Sequence, residues 1–332
     1  MLHKKRALLQ EDGRCLVCER TCLIKNGNQG YCKTRVNEHG IIYTLNYGNI
    51  SSLCVNPIEK KPLYHFYPGT QALTVGFWSC NFDCPWCQNH DISKTVPQFT
   101  EYLSPDDFVG IALTQRCEGI SLSLNEPTVF LEWGIEAIQK AKHEGLYTTI
   151  VSNGYMTDRA LKLMIDAGLD AANIDIKGDT RAVKKYCGVD VAYVWRTCTL
   201  LKKRNIQIEI TTLVIPTVND TIKILSEIAK KITYELGDTI PWHLTRYFPA
   251  YKFSEPATPI AFLETAYDTA KQSGLKFVYI GNVSGHEYEN TYCPFCGHVL
   301  IERAGLAIIN IHFDKHCTCP QCKSDLKNYF VL

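Results

Sequence analysis

From about residue 71 onward, short apolar stretches alternate with longer amphipathic ones. The apolar stretches fall at 71–79, 119–124, 146–152, 171–176, 206–214, 239–247 and 275–281, and several are unbroken runs of aliphatic or β-branched residues. Such runs suit strands covered on both faces, as parallel strands are. Helix starts lie between them. Ser104-Pro105-Asp106-Asp107 and Thr258-Pro259 each offer an N-cap followed by proline in the first turn, and Thr157-Asp158 and Asn219-Asp220 offer further caps. The strands recur mostly every 25 to 36 residues, the spacing of βα units. Six or seven such units predict an α/β fold built as a barrel or partial barrel. A doubly wound open sheet satisfies the same periodicity.

Both flanks break the pattern. Residues 1–70 are rich in Cys, Gly and Asn, with a short alternating stretch at Gly40–Tyr47, which predicts a loop-rich module held by metal. Pro57–Gly69 reads as a connector into the main domain, 71–285. Residues 286–332 carry two C-P-x-C knuckles, Cys293/Cys296 and Cys319/Cys322, separated by a strand-like stretch, His298–Asn310. That is the pattern of a small zinc ribbon.

Composition narrows the function. Hydrophobic content of 45% and charged content of 21% are those of an ordinary globular chain. A formal net charge of +1 supplies no global field for nucleic acid. No apolar run approaches the ~18 residues of a membrane span, and the basic start, Met1–Gln10, lacks the apolar core of a signal peptide. A cytoplasmic protein is expected. In such a chain clustered cysteines read as metal ligands. Eleven of the 16 fall into the sets 15/18/22/32, 80/84/87 and 293/296/319/322. Cys54, Cys117, Cys187, Cys198 and Cys317 are left as plain buried thiols, although Cys317 stands close enough in sequence to substitute for Cys319.

The stretch Cys80-Asn81-Phe82-Asp83-Cys84-Pro85-Trp86-Cys87 is the most specific. Three thiolates at these spacings can hold three irons of a 4Fe–4S cluster and leave the fourth open to bind and reduce something. Three ligands of a zinc site are the alternative. In a parallel barrel, active groups gather at the carboxyl ends of strands, and this loop follows the first strand. Later strand ends carry Glu126, Ser152 and Asn153, then Asp175 and Lys177, the last two on one face. Each also has a structural reading: a helix N-terminal acid, an Asn-Gly turn, an ion pair. His243, Arg246 and Tyr247 on the sixth strand are candidates for contact with a substrate, with core packing as the competing role.

The CxxxCxxC spacing, with Trp86 before its last cysteine, resembles the signature of radical S-adenosylmethionine (SAM) enzymes. The resemblance extends further. Cys15–Cys32, Asn56–Phe66 (NPIEKKPLYHF), Cys80–Asn89 (ending CQN), Asn125–Thr128, Ser152–Thr157, Asp175–Gly178 and the terminal knuckles are together similar to the AmmeMemoRadiSam-system radical SAM enzyme, a relative of pyruvate formate-lyase activating enzymes. It implies a partial (β/α)6 TIM-like radical SAM barrel between the two cysteine-rich modules. It also implies a 4Fe–4S cluster on Cys80, Cys84 and Cys87, with SAM held by Glu126, Ser152, Asn153, Asp175 and Lys177. Asn125 departs from the two glycines that precede this acid in the superfamily.

The implied partners are MEMO-type and AMMECR-type proteins, and the chemistry calls for a low-potential electron donor such as ferredoxin or flavodoxin. The reaction expected is reductive cleavage of SAM to a 5′-deoxyadenosyl radical that takes hydrogen from a substrate the sequence does not name. A glycyl-radical-enzyme activase and a non-catalytic metal scaffold are the alternatives. The C-terminal quartet is expected to hold zinc; Cys15, Cys18, Cys22 and Cys32 suit either zinc or a second iron–sulfur cluster.

Overall fold

The computed structural model of the chain describes residues 3–95 and 101–332. Its centre is a nine-stranded mixed sheet. Eight of the strands are β1 (Asn49–Pro57), β2 (Gln71–Phe77), β3 (Gly119–Leu122), β4 (Tyr147–Ser152), β5 (Ala171–Asp175), β6 (Gln207–Val214), β7 (Trp242–Arg246) and β8 (Val278–Gly281). The order runs from β8 down to β1 and ends on the two-residue strand Glu101–Tyr102. All seven apolar stretches became strands, β2 to β8, and neighbours among them pair in parallel.

The order never reverses, so the sheet is singly wound and the doubly wound alternative falls. The two end strands are not hydrogen-bonded to each other. β1 pairs antiparallel with β2, an addition that the loop-rich reading of residues 1–70 did not anticipate.

Helices cross between the strands: α1 (Pro105–Thr114), α2 (Leu131–His143), α3 (Asp158–Ala167), α4 (Thr180–Cys187), α5 (Ala192–Lys203), α6 (Ile222–Lys231) and α7 (Ile260–Gln272). Ser104 and Thr157 cap α1 and α3 as the sequence predicts, accepting from Asp107 N at 3.1 Å and Ala160 N at 3.2 Å. Two expected caps fail. Thr221, not Asn219 or Asp220, caps α6, because buried Asn219 instead braces the preceding loop through Ile215 N, Lys177 O and Leu213 O. Thr258 turns its hydroxyl to Val214 O at 2.6 Å, so α7 starts on Pro259 with no side-chain cap. None of the helices among the described residues is long and apolar enough to cross a membrane.

Alternation along the strands divides the sheet's two faces. Ile208, Ile210, Leu244 and Ile280 join the main core with the helices. Glu209, His243 and Tyr279 point the other way and are buried against Tyr64 and His65 of the Pro57–Gly69 segment. That segment is a plug rather than a simple connector. Lys61 reaches Asn56 Oδ1 at 3.0 Å, and Asn173 of β5 donates to Pro62 O at 2.8 Å. Ile58 and Phe66 pack on Ala72, Tyr147 and Ala171, at or near the amino ends of their strands.

The two cysteine-rich modules attach at opposite ends. The N-terminal one lies at the carboxyl ends, bonded to the loop after β4 (Glu19 N to Tyr155 O, 3.3 Å; Thr157 N to Val17 O, 3.2 Å). The C-terminal one has its own small core and docks on the plug, with Arg303 donating to Tyr64 O at 3.0 Å and Val331 N to His65 O at 2.9 Å.

Candidate functional site

At the carboxyl ends of the strands a single cavity of about 320 Å³, open to solvent, is lined by Cys80, Cys84 and Cys87 and by Glu126, Ser152, Asn153, Asp175 and Lys177. Every residue expected at the cluster or at SAM meets there. Strand ends put them in place: β2 delivers the cysteine loop, β3 Glu126, β4 Ser152 and Asn153, and β5 Asp175.

The cysteine loop is held from both sides. Asn125 Oδ1 accepts from Phe77 N and its Nδ2 donates to Ser79 O, both at 2.9 Å. Buried Trp86 packs on Tyr186 and Phe253, and Lys252 N donates to Pro85 O at 2.9 Å. Hydrogen-bond donors already face the sulfurs: Phe82 N is 3.4 Å from Cys80 Sγ and Ser93 Oγ 3.1 Å from Cys87 Sγ. Burial pushes the Cys80 thiol up to about 12, Glu126 adding to this and Lys94 opposing it. A bound cation would displace such a proton and stabilise the thiolate. Three convergent thiols beside a polar cavity fit an iron–sulfur cluster with one open iron.

Glu126 performs both roles weighed for it. It caps the short helix Pro127–Phe130 through Thr128 N at 3.1 Å. Its Oε1 also accepts from the Thr128 and Ser152 hydroxyls, and Oε2 accepts from Asn153 N at 2.9 Å. Burial raises its pKa while these donors pull it down. Oε2 takes this one bond among the described residues, so an acceptor site remains on the cavity side.

Asp175 and Lys177 pair at 3.0 Å and both line the cavity. Burial works against the charge on Lys177, but Asp175 and the Cys84 and Cys187 thiols hold its pKa above the usual range. Lys60, Lys94 and Lys177 thus set three cations around three thiols and two carboxylates. The balance suits an anionic cluster and a zwitterionic ligand.

His243, Arg246 and Tyr247 are not brought to this cavity. His243 lies deeper, with Nε2 2.6 Å from Glu209 Oε2 and its ring stacked on Tyr279. Tyr247 is fully buried and donates to Phe253 O at 2.7 Å, and Arg246 donates to Thr258 O at 2.8 Å.

Three contributors escaped the sequence reading. Lys94 donates to Phe82 O and faces Asp83 at 3.5 Å. Lys60 comes from the plug. Cys187, read as a plain buried thiol, brings its Sγ to 3.6 Å from Cys84 Sγ. No spacing signal links it to the motif, since it sits 103 positions away.

The two quartets differ. Cys293, Cys296, Cys319 and Cys322 draw their sulfurs within 4.8 Å of one another, with Cys293–Cys322 and Cys296–Cys319 both at 3.7 Å. Tetrahedral zinc–sulfur bonds of ~2.3 Å separate sulfurs by ~3.8 Å, so a zinc ion fits. Ser324 holds the Cys322 thiol down to about 6. Cys317 stands outside this set, buried in the module's core. Cys15, Cys18, Cys22 and Cys32 instead line a small pocket of about 10 Å³ together with Ile24, Tyr31, Arg35 and Asn81, and no three of their sulfurs lie within 4.8 Å of one another. Arg35 there is buried and grips both oxygens of buried Glu132 on α2 at 2.8 Å.

Comparison with known proteins agrees with this geometry. Residues 79–227 match the Radical SAM superfamily. An uncharacterized protein of Methanocaldococcus jannaschii, MJ0808, is 43% identical over 319 residues, spanning 94% of this chain and 95% of its own. In three dimensions the chain is similar to Streptococcus suis SuiB bound to S-adenosylmethionine, with a TM-score of 0.53, 12% identity, and coverage of 72% of this chain and 56% of SuiB. A second SuiB structure gives 0.51, 11% identity, and coverage of 64% and 50%. The chain spans about half the length of SuiB, and the likeness is one of fold. The chain therefore belongs to the family of MJ0808, and its cysteine loop and the strands that follow are the part that matches the Radical SAM superfamily.

Proposed function

We propose that this protein is a radical SAM enzyme that cleaves S-adenosylmethionine reductively at Cys80, Cys84 and Cys87 and directs the resulting 5′-deoxyadenosyl radical to a substrate hydrogen. The observation that carries the reading is the convergence of these thiols with Glu126, Ser152, Asn153, Asp175 and Lys177 on one cavity. When bound, the 4Fe–4S cluster supplies the electron and the open iron.

The chain's own groups do the rest. Glu126 Oε2, fixed by Asn153 N, offers an acceptor to an ammonium group. The Asn153 side chain, tied to Asn81 Oδ1 at 2.7 Å, and the Ser152 hydroxyl present polar atoms to carboxylate or ribose. Lys177, locked by Asp175, supports the negative charge of the thiolates. Trp86, Phe82 and Leu213 give the cavity apolar walls that limit water. MEMO-type and AMMECR-type proteins are the partners we propose, on the whole-chain resemblance of its motifs.

The test is anaerobic reconstitution, then SAM and dithionite, with 5′-deoxyadenosine quantified. Product from the native chain and none from Cys84→Ala is expected. A fully iron-loaded native chain that yields none overturns the reading and favours a metal scaffold.

A further inference from the structure

We propose that Cys15, Cys18, Cys22 and Cys32 hold a second 4Fe–4S cluster, which relays single electrons from an external low-potential reductant to the Cys80/Cys84/Cys87 site. The relay half rests on the radical SAM reading; the metal site does not.

The first observation is space. The C-terminal quartet has collapsed to the size of one zinc ion, with sulfur pairs 3.7 Å apart. The N-terminal four line one small pocket, yet no three of their sulfurs lie within 4.8 Å of one another. Thiolates on the corners of an iron–sulfur cube stand ~6 Å apart, because the irons themselves are separated. A quartet whose sulfurs stand apart suits the cube better than the single ion.

The second observation is an under-satisfied donor. Asn81 is fully buried and lines this pocket. Its Oδ1 is turned to the catalytic side, accepting from Asn153 Nδ2 at 2.7 Å with Cys80 Sγ 3.8 Å away. The Nδ2 at the other arm of the carboxamide makes no full hydrogen bond in the protein and is turned to the Cys18 thiol. A thiol is a weak acceptor, and the thiolate that a bound cluster requires would complete the bond. Thr34 already faces the Cys32 sulfur at 3.2 Å.

The third observation is placement. Asn81 adjoins both thiol sets, so one side chain separates the two sites. On the outer side Leu23 is 59% and Tyr31 48% exposed, which puts the quartet between solvent and the catalytic cavity. One electron enters from the reductant, a protein of the ferredoxin or flavodoxin class, and the same electron moves inward. No bond is made or broken and no proton is transferred.

The experiment uses the full chain, reconstituted anaerobically with iron and sulfide, with iron and zinc counted and reduced samples read by electron paramagnetic resonance. At about four irons per cluster, the native chain should carry about eight irons and one zinc. A Cys80→Ala/Cys84→Ala/Cys87→Ala variant should keep about half the iron and show a signal that SAM leaves unchanged. Cys18→Ser/Cys22→Ser should lose that half and keep a signal that SAM shifts, with circular dichroism confirming its fold. A folded triple-alanine chain with no iron and a second zinc overturns the site. Equal rates of SAM cleavage by native and Cys18→Ser/Cys22→Ser chains, with ferredoxin as donor, overturn the relay. Two iron sets whose signals both ignore SAM would instead defeat the radical SAM reading and leave the second cluster standing.

Discussion

The two cysteine quartets have the same ligands and opposite circumstances. The C-terminal four sit on a small separate core that Cys293 and Cys319 join, docked at the amino ends of the strands through Arg303 and Val331. Of the N-terminal four, Cys15, Cys22 and Cys32 are packed into or against the main core at the carboxyl ends, beside the cysteine loop after β2. One set closes a fold that has too little apolar area to close itself. The other adjoins the cysteine loop after β2 through Asn81. Ligand identity is the same, so the distance between sulfurs and the end of the sheet they occupy assign the roles.

The sharpest way to break this comparison lies between the quartets and the cysteine loop after β2. Cys84→Ala should lower 5′-deoxyadenosine formation by at least ~100-fold, since it removes a ligand on which the chemistry depends. Both quartets should keep their metal, as counted by mass spectrometry.

Next comes zinc. Thiolate zinc sites contribute ~10–16 kcal/mol to isolated modules, so Cys319→Ser should unfold the C-terminal module. Hydrogen exchange should show 286–332 losing protection while β2 to β8 keep theirs. Equal loss across the sheet would mean that the module is not energetically separate.

The N-terminal module should fail differently, through its link to α2. Arg35→Met leaves buried Glu132 uncompensated, and breaking a buried pair this way costs ~3–5 kcal/mol. Urea denaturation should show the whole chain shifting in a single transition. An independent early transition would break the comparison.

The plug offers a pH test. Burial lowers the Lys61 pKa from its usual value of 10.5 to about 8. Between those values the unfolded chain binds more protons than the folded one, so this group's contribution raises stability with pH. The gain is absent below pH 8, complete near 10.5, and amounts to about 3 kcal/mol. Lys61→Met should flatten that rise in denaturant melts between pH 8 and 10.

The smallest effect expected is at Glu126→Gln, which keeps shape and removes charge. SAM affinity, read by calorimetry on iron-loaded protein, should fall ~10-fold, about 1.4 kcal/mol. Unchanged affinity would leave Glu126 with its helix-capping role alone.

Much of the site was legible because it lies at strand ends. A strand that ends in Asn125-Glu126 or Ser152-Asn153 places those residues at the sheet's carboxyl edge whatever the exact register. The caps at Asn219-Asp220 and Thr258 were misread because burial recruits those side chains to brace loops, a tertiary demand that outweighs local capping. Lys60 and Cys187 could not be found by spacing, since Lys60 reaches the cavity and Cys187 the Cys84 sulfur from distant segments.

By itself the sequence determined the βα repeat, all seven parallel strands, the clustering of the cysteines and which strand ends carry polar groups. These are local facts, written in periodicity and spacing. Tertiary structure decided what lies between elements. It turned the Pro57–Gly69 segment into a plug and took His243 away from the cavity into a pair with Glu209. It also collapsed one quartet to 3.7 Å sulfur contacts while holding the sulfurs of the other farther apart. Spacing along a chain limits which thiols can meet, but the packing around them sets how far apart they stand.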